Sequence, residues 1–215
     1  MASPDGLRTT TLRLRDLGAY YPIDLRGVDQ SAWLPLSIRL DESVVSAKLR
    51  LNYTLSPSLL PELSQLKVMI DEQPLATLMA SKDKLGSPQQ AEIDLDPRYF
   101  VEFAKLRLQF IGHYTMECEY PLHSSLWASI SNDSTLELVT RPLALRNDLA
   151  LLPAPFFDSR DSRRVELPFV FAARPSLATL RTAGVLASWF GSLASYRGTH
   201  VSALYDQLPA RHAVV

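Results

Sequence analysis

Between Lys48 and Leu55 the chain reads Lys-Leu-Arg-Leu-Asn-Tyr-Thr-Leu, an unbroken alternation of polar and apolar side chains. A period of two puts Leu49, Leu51, Tyr53 and Leu55 on one face of an extended strand and the polar set on the other. A strand with one apolar face needs partners in its own sheet and a second apolar layer to cover it. The rest of the first 143 residues offers both. Thr11 to Arg15 alternates, as does the later half of Trp33 to Leu40. Gln65–Ile70 and Leu75–Met79 flank Asp71-Glu72-Gln73-Pro74, which reads as a hairpin. Further strands fit 91–95, 105–111, 126–130 and 135–140. Ser56 to Leu63 is a looser link, and Asp96 to Phe103 holds one helical turn. About eight or nine short strands without a long helix predict a mainly β fold, a two-sheet sandwich or jelly roll.

After Leu145 the pattern changes. Leu151 to Arg164 is proline-rich and then charged, which predicts a linker packed down by Phe156 and Phe157. Val165 to Ala172 reads as an apolar strand, with Pro168 arguing for an edge or a strand start. Ser176 to Tyr196 predicts a helix whose apolar face carries Leu177, Leu180, Gly184, Ala187, Phe190 and Ala194. Ser176 is its N-cap and Gly198 its stop. Val201–Tyr205 and Ala213–Val215 follow as strand pieces. Strand, helix and strand at this spacing form a βαβ unit, implying a parallel sheet begun here and not finished, with apolar edges left open. The expected organisation is a β domain over 1–145, a linker over 146–164 and an incomplete α/β unit over 165–215.

Composition narrows the function classes. Of 215 residues, 47% are hydrophobic and 21% charged, the balance of a packed globule. A net charge of −1 with scattered basic residues gives no footprint for nucleic acid. One cysteine allows no internal disulfide. The first ten residues lack a signal pattern, and no apolar stretch approaches the ~20 residues of a membrane helix. The chain as given is expected to be soluble, with ends that look arbitrary and any signal or anchor lying outside it.

Functional groups concentrate in Gly112 to Trp127, which holds Cys118, His113, His123, Glu117, Glu119, Tyr114, Tyr120 and Trp127. A metal site would draw on His113, Cys118, His123 and a glutamate, but the spacing matches no common zinc pattern. A Cys118 nucleophile lacks a flanking oxyanion loop or helix N-terminus. Glu117 and Glu119 would share a strand face at ~7 Å, a spacing open to a glycosidase pair, though nothing else supports hydrolysis. A sugar-binding edge is the third reading: Tyr114, Tyr120 and Trp127 give flat amphipathic faces, and Glu117, Glu119 and His123 give hydrogen bonds. Trp33 is a further aromatic candidate. Against that reading, the alternating strand around Trp127 predicts a core position, the same holds for Trp33, and Trp189 is expected in the core beside the helix face. Catalytic and metal residues are therefore expected to be none. Arg160 and Arg164 form an RxxxR spacing resembling the diguanylate-binding arginines of PilZ domains, without the Asp/Asn-x-Ser-x-x-Gly half. Ala172 to Ser176 contains no glycine-rich phosphate loop.

Several segments together resemble the bacterial cellulose synthase regulatory subunit family. They are Leu25-Arg26-Gly27, Ser56-Pro57-Ser58-Leu59-Leu60-Pro61, and Phe110-Ile111-Gly112-His113-Tyr114 with Cys118-Glu119. Asn147-Asp148-Leu149, Pro155-Phe156-Phe157-Asp158 with Arg160-Asp161, Ala187-Ser188-Trp189-Phe190-Gly191 and Asp206-Gln207-Leu208-Pro209 complete the set. The resemblance implies a carbohydrate-binding-like jelly roll followed by the start of a flavodoxin-like α/β domain. It also implies a periplasmic location at the inner membrane, through an anchor outside this chain, beside the catalytic subunit. Gly112, His113 and Cys118 carry over as a signature only. The family name implies cyclic di-GMP, yet no cofactor site is expected here because the RxxxR motif is incomplete. The expected role is a non-enzymatic accessory module touching the nascent β-1,4-glucan, the catalytic subunit or copies of itself. The alternatives are a pure protein–protein scaffold and a glycoside-acting enzyme.

Overall fold

The computed structural model describes residues 6–101, 103–146, 148–161, 164–209 and 212–215. Residues 1–5, Glu102 of the short turn, Asn147 of the Asn-Asp-Leu motif, and Ser162 and Arg163 of the charged stretch lie outside the described residues, as do Ala210 and Arg211. The chain divides into two compact units, one of Met1–Ile38 with Glu42–Pro142 and one of Arg39–Asp41 with Leu143–Val215.

The first unit is organised on the alternating strand, which runs longer than its strict pattern: β4 covers Glu42–Leu55. Leu49, Leu51 and Leu55 are fully buried and Tyr53 nearly so. Ten strands build this unit: β1 (Arg8–Arg13), β2 (Ile23–Arg26), β3 (Asp29–Pro35), β4, β5 (Gln65–Ile70), β6 (Gln73–Met79), β7 (Gln89–Leu95), β8 (Lys105–Ile111), β9 (Trp127–Ile130) and β10 (Thr135–Pro142). On one edge of β4, β10 pairs with residues 42–50 and β9 with residues 53–55, end to end. On the other edge lies β7. β1 extends β10 and β2 extends β9, so six strands make four antiparallel rows. The facing sheet runs β3-β8-β5-β6, also antiparallel. Apart from the β5–β6 hairpin, successive rows pass back and forth between the two sheets, which is the winding of a jelly roll.

Leu66, Val68, Ile70, Leu106, Leu108 and Phe110 from one sheet join Leu49, Leu51, Leu55, Ile130 and Leu136 from the other in a single core. The predicted hairpin is present, with Asp71 in the left-handed region at φ 52°. The strand expected to continue past Pro35 stops there, because Leu36 spends its N–H on Ala104 O rather than on a ladder. The expected helical turn is a 3-10 turn, Pro97–Tyr99, capped by the Asp96 carboxylate on Arg98 N.

In the second unit β11 (Val165–Phe171), α1 (Leu177–Ala194) and β12 (Thr199–Tyr205) form the expected βαβ with parallel strands. Pro168 sits mid-strand rather than at a start, and β11 is an edge of its two-stranded sheet, the other alternative expected. Its O and its missing donor both face the Val214 side, where Val214 N donates to Pro168 O, so the β12 ladder loses no bond. Ser176 caps the helix through Thr179 N. The helix face is rotated from the expected one. Ala183, Leu186, Ala187, Phe190 and Leu193 pack on Leu167 and Phe169, whereas Leu177, Leu180 and Gly184 are exposed. Trp189, expected in the core, remains 39% exposed beside Phe190.

Polar contacts knit the second unit around Asp158, which is buried. Its carboxylate accepts from Leu40 N at 2.8 Å, from Arg160 N at 2.9 Å and from both Nε and Nη2 of Arg160 at 2.9 and 2.7 Å. Arg39 grips Asp41, Asp161 and the Pro155 carbonyl. Arg197 donates to the carbonyls of Asp158 and Asp161 and covers the Phe157 ring at 4.4 Å. Burial pushes the Asp158 carboxyl up, but the Arg160 side chain and the Leu40 and Arg160 N–H groups outweigh it and lower it from 3.8 to about 2. The unfolded chain therefore binds a proton that the folded one does not, so this contribution is whole above about pH 4 and fades as the pH falls toward 2. In thermal melts, Asp158→Asn should lower stability by about 1–3 kcal/mol at neutral pH, with the gap to the parent closing between pH 4 and pH 2. A constant gap would assign the loss to packing.

Candidate functional site

Gly112 to Leu126 is an irregular connection between β8 and β9 at one end of the sandwich. No strand forms inside it, so the period-two geometry that put Glu117 and Glu119 on one face does not apply. Cys118, between them, has φ 49° and turns the two carboxylates apart. Glu117 is left in solvent, and Glu119 turns inward.

Glu119 is the clasp of the loop. Its Oε2 meets His113 Nδ1 at 2.7 Å, and its Oε1 accepts from Tyr114 N at 2.9 Å. Burial raises the Glu119 carboxyl, while the Tyr114 N–H and the His113 ring lower it further, for a net value below the ordinary glutamate range. Tyr114 in turn stacks on His123, ring centres 4.4 Å apart and 20° from parallel, and its hydroxyl accepts from Tyr120 N at 3.1 Å. His123 Nδ1 accepts from Ser125 N, so that nitrogen carries the lone pair. Three of the predicted contact residues, Tyr114, Glu119 and His123, are thus engaged in holding the loop.

The distant motifs noted in the sequence converge on this end. Leu60 N donates to His113 O at 2.7 Å, and the buried Ser64 hydroxyl bridges His113 N and His113 O. Gly27 N donates to Leu126 O and Val28 N to Pro121 O. Gly27 has φ 94°, and a Cβ there would meet Pro121 O at 3.0 Å. At Gly112 a Cβ would come within 2.3 Å of the buried Phe110 ring. Both glycines are required by close approach. Sequence reasoning missed Ser64 and Val28 as supports, and no motif marks them.

The remaining predicted residues stand apart. Tyr120 is 60% exposed, as are Met116 at 79% and Leu122 at 74% of the same loop. Trp127, expected in the core, is half-buried on the outer face of β9 opposite Arg26, while Leu126, Ala128 and Ile130 take the inner face. Cys118 is exposed, and no group of three His, Cys, Asp or Glu among the described residues is placed to hold a metal ion. Arg160 forks the Asp158 carboxylate, and Arg164 donates to Thr199 O at 3.2 Å.

The network predicts opposite behaviour for the two glutamates. Glu119→Ala should raise amide exchange at Tyr114 roughly tenfold and sensitise the loop to proteolysis, whereas Glu117→Ala should change stability by less than about 0.5 kcal/mol. Hydrogen exchange followed by mass spectrometry checks both.

A family model described as "Cellulose synthase BcsB, first CBM domain" matches residues 7–142, and one described as "Cellulose synthase BcsB, first FD domain" matches residues 148–215. A "Cyclic di-GMP-binding protein" of Xanthomonas axonopodis pv. citri (strain 306) is 54% identical over 205 residues, 95% of this chain and 26% of that protein. The protein of the same name from Pseudomonas fluorescens (strain SBW25) is 48% identical over 94% of this chain and 27% of its own length. "Putative cellulose synthase 2" of Komagataeibacter xylinus is 38% identical over 88% of this chain and 12% of its own. The chain spans about a quarter of the length of the first two relatives. Among solved structures, that of infectious bursal disease virus Gx strain aligns with 64% of this chain and 32% of its own at a TM-score of 0.37 and 14% identity.

Proposed function

The chain belongs to the cellulose synthase BcsB family, and from that premise we propose that it is part of a non-catalytic accessory subunit of a bacterial cellulose synthase, in which the β-sandwich contacts the emerging β-1,4-glucan. The observation that carries this reading is the match of the whole sandwich, residues 7–142, to a carbohydrate-binding family model. The second unit is the start of a flavodoxin-like α/β domain in this reading, and the subunit works on the periplasmic side of the inner membrane beside the catalytic subunit. No helix among the described residues is long and apolar enough to cross a membrane.

The chemistry of the β8–β9 loop supports contact rather than catalysis. Its acid and histidine groups bond to one another and to backbone, leaving Glu117 without an opposing carboxylate in the loop for glycoside cleavage. Outward the loop exposes Met116, Tyr120 and Leu122 along with Glu117 and Cys118. The three large apolar side chains favour a second, compatible reading in which the loop docks another protein, the catalytic subunit or a second copy. The relatives' name points to cyclic di-GMP. The one arginine pair at a suitable spacing, Arg160 and Arg164, is already bonded to Asp158 and the Thr199 carbonyl, so these residues do not fit that ligand.

Calorimetric titration of cellohexaose should show saturable binding at millimolar concentration or tighter, and no heat at that level would remove the glucan contact. Capture of the catalytic subunit should fall with the triple change Met116→Ser, Tyr120→Ala, Leu122→Ser while sugar binding is retained. Equal loss of both would place sugar and partner on one surface.

A further inference from the structure

The two outer faces of the sandwich differ in how their polar groups are spent. On the sheet containing β4, Lys48 reaches Glu92 and Asp94, and Arg50 reaches Glu92 and Glu137. That face is a ladder of exposed ion pairs. The outer face of β3-β8-β5-β6 is built otherwise. Registered neighbours give the rows Trp33–Arg107–Met69 and Ser31–Gln109–Lys67. Trp33 is 45% exposed, because the core parity of β3 belongs to Leu34. Its ring is held from one side by Arg107, whose guanidinium lies 4.8 Å from the ring centre. Arg107 is itself fixed by Ser31 Oγ at 3.0 Å and Glu72 at 2.8 Å, and Gln109 donates to Asp29 at 2.8 Å.

We propose that this face, centred on Trp33, is a binding platform for a neutral oligosaccharide with flat pyranose rings. The proposal rests on the reading that the sandwich contacts glucan, and it assigns that contact to a surface separate from the β8–β9 loop. Three features select the ligand class. An aromatic ring fixed by a cation offers a preorganised surface to the C–H face of a sugar. Amide and hydroxyl groups of Gln109 and Ser31 lie one row away, ~7 Å along the strands, within reach of ring hydroxyls. The charges on the face are mixed in sign, Arg107 bonded to Glu72, and Lys67 and Lys105 on the same face as Asp29, so it presents no strong field of one sign to a polyelectrolyte. The polar row Ser31–Gln109–Lys67–Thr77 separates Trp33 and the buried Met69 from Ile111 and the exposed Met79, so a protein partner meets no continuous apolar patch here.

The test uses the 215-residue chain with indole nitrogen-15 labelling, the Trp33 signal being assigned by its loss in Trp33→Phe. Cellohexaose should shift the Trp33 indole N–H, and Trp33→Ala should weaken binding by about tenfold or more while Trp33→Phe retains most of it. Affinity should change little between low and high salt, and an oligogalacturonate should bind more weakly than cellohexaose. Unchanged cellohexaose affinity in Trp33→Ala overturns the platform and leaves the glucan contact standing at another surface. No binding by the parent chain overturns both. Tighter binding of the oligogalacturonate overturns the ligand class.

Discussion

The sandwich depends on the burial of one face of β4. This strand is fourteen residues long and pairs with β10, β9 and β7, so its inner side chains meet every part of the core. Each of Leu49, Leu51 and Leu55 is worth a few kcal/mol of transfer from water. Shifting β4 by one residue would turn all of them outward at once. The register of six strands is therefore set by a single parity, and the loop ends, including the one between β8 and β9, inherit their positions from it.

At that loop the competition between folding and chemistry is resolved in favour of folding. Irregular backbone of fifteen residues has many N–H and carbonyl groups that no ladder satisfies, and an unpaired buried one costs more than a hydrogen bond returns. Glu119, the Tyr114 hydroxyl, His123 and Ser64 answer those groups. A carboxylate bound by a backbone N–H and a ring N–H is a poor proton carrier at neutral pH, since both contacts favour its charged form. The same side chains that make this stretch look chemically rich are the ones that give it a fixed shape.

Much of this is legible in the sequence, and the departures have physical reasons. Alternation locates β4, β5, β8 and the hairpin because one buried face leaves a period of two. The core positions expected for Trp33 and Trp127 fail for a reason of parity: Leu34 takes the inner face of β3, and Ala128 and Ile130 that of β9, so both rings face out. Residue type is the poorer guide there, and parity the better one. The helix face departs from expectation for a different reason. α1 has apolar residues nearly all round, so periodicity alone leaves its angle open, and only Leu167, Phe169 and Phe156 decide which side is covered. Pro168 fits mid-strand because the missing donor of a proline matters only on the edge toward which it points. The convergence of Gly27, Leu60 and His113 is beyond reach of the sequence, since their contacts are set by strand order across two sheets.

The contrast between the two outer faces follows from the same core parity seen from outside. Once every second residue is inward, the remaining ones are free of packing demands, and what they carry reflects another constraint. On the β4 side that constraint is satisfied by opposite charges in register, each pair worth little, which keeps a broad sheet face solvated. On the β3 side a large aromatic ring stays half in water, although turning it inward would bury more apolar area. A lone exposed apolar residue needs no explanation by itself. Here Trp33 is braced by Arg107, which is braced by Ser31 and Glu72, and ordering those long side chains carries an entropic cost that a passive surface has no reason to bear. Rigidity of that kind serves recognition, because a ring already fixed in orientation loses little freedom when a flat partner lies on it.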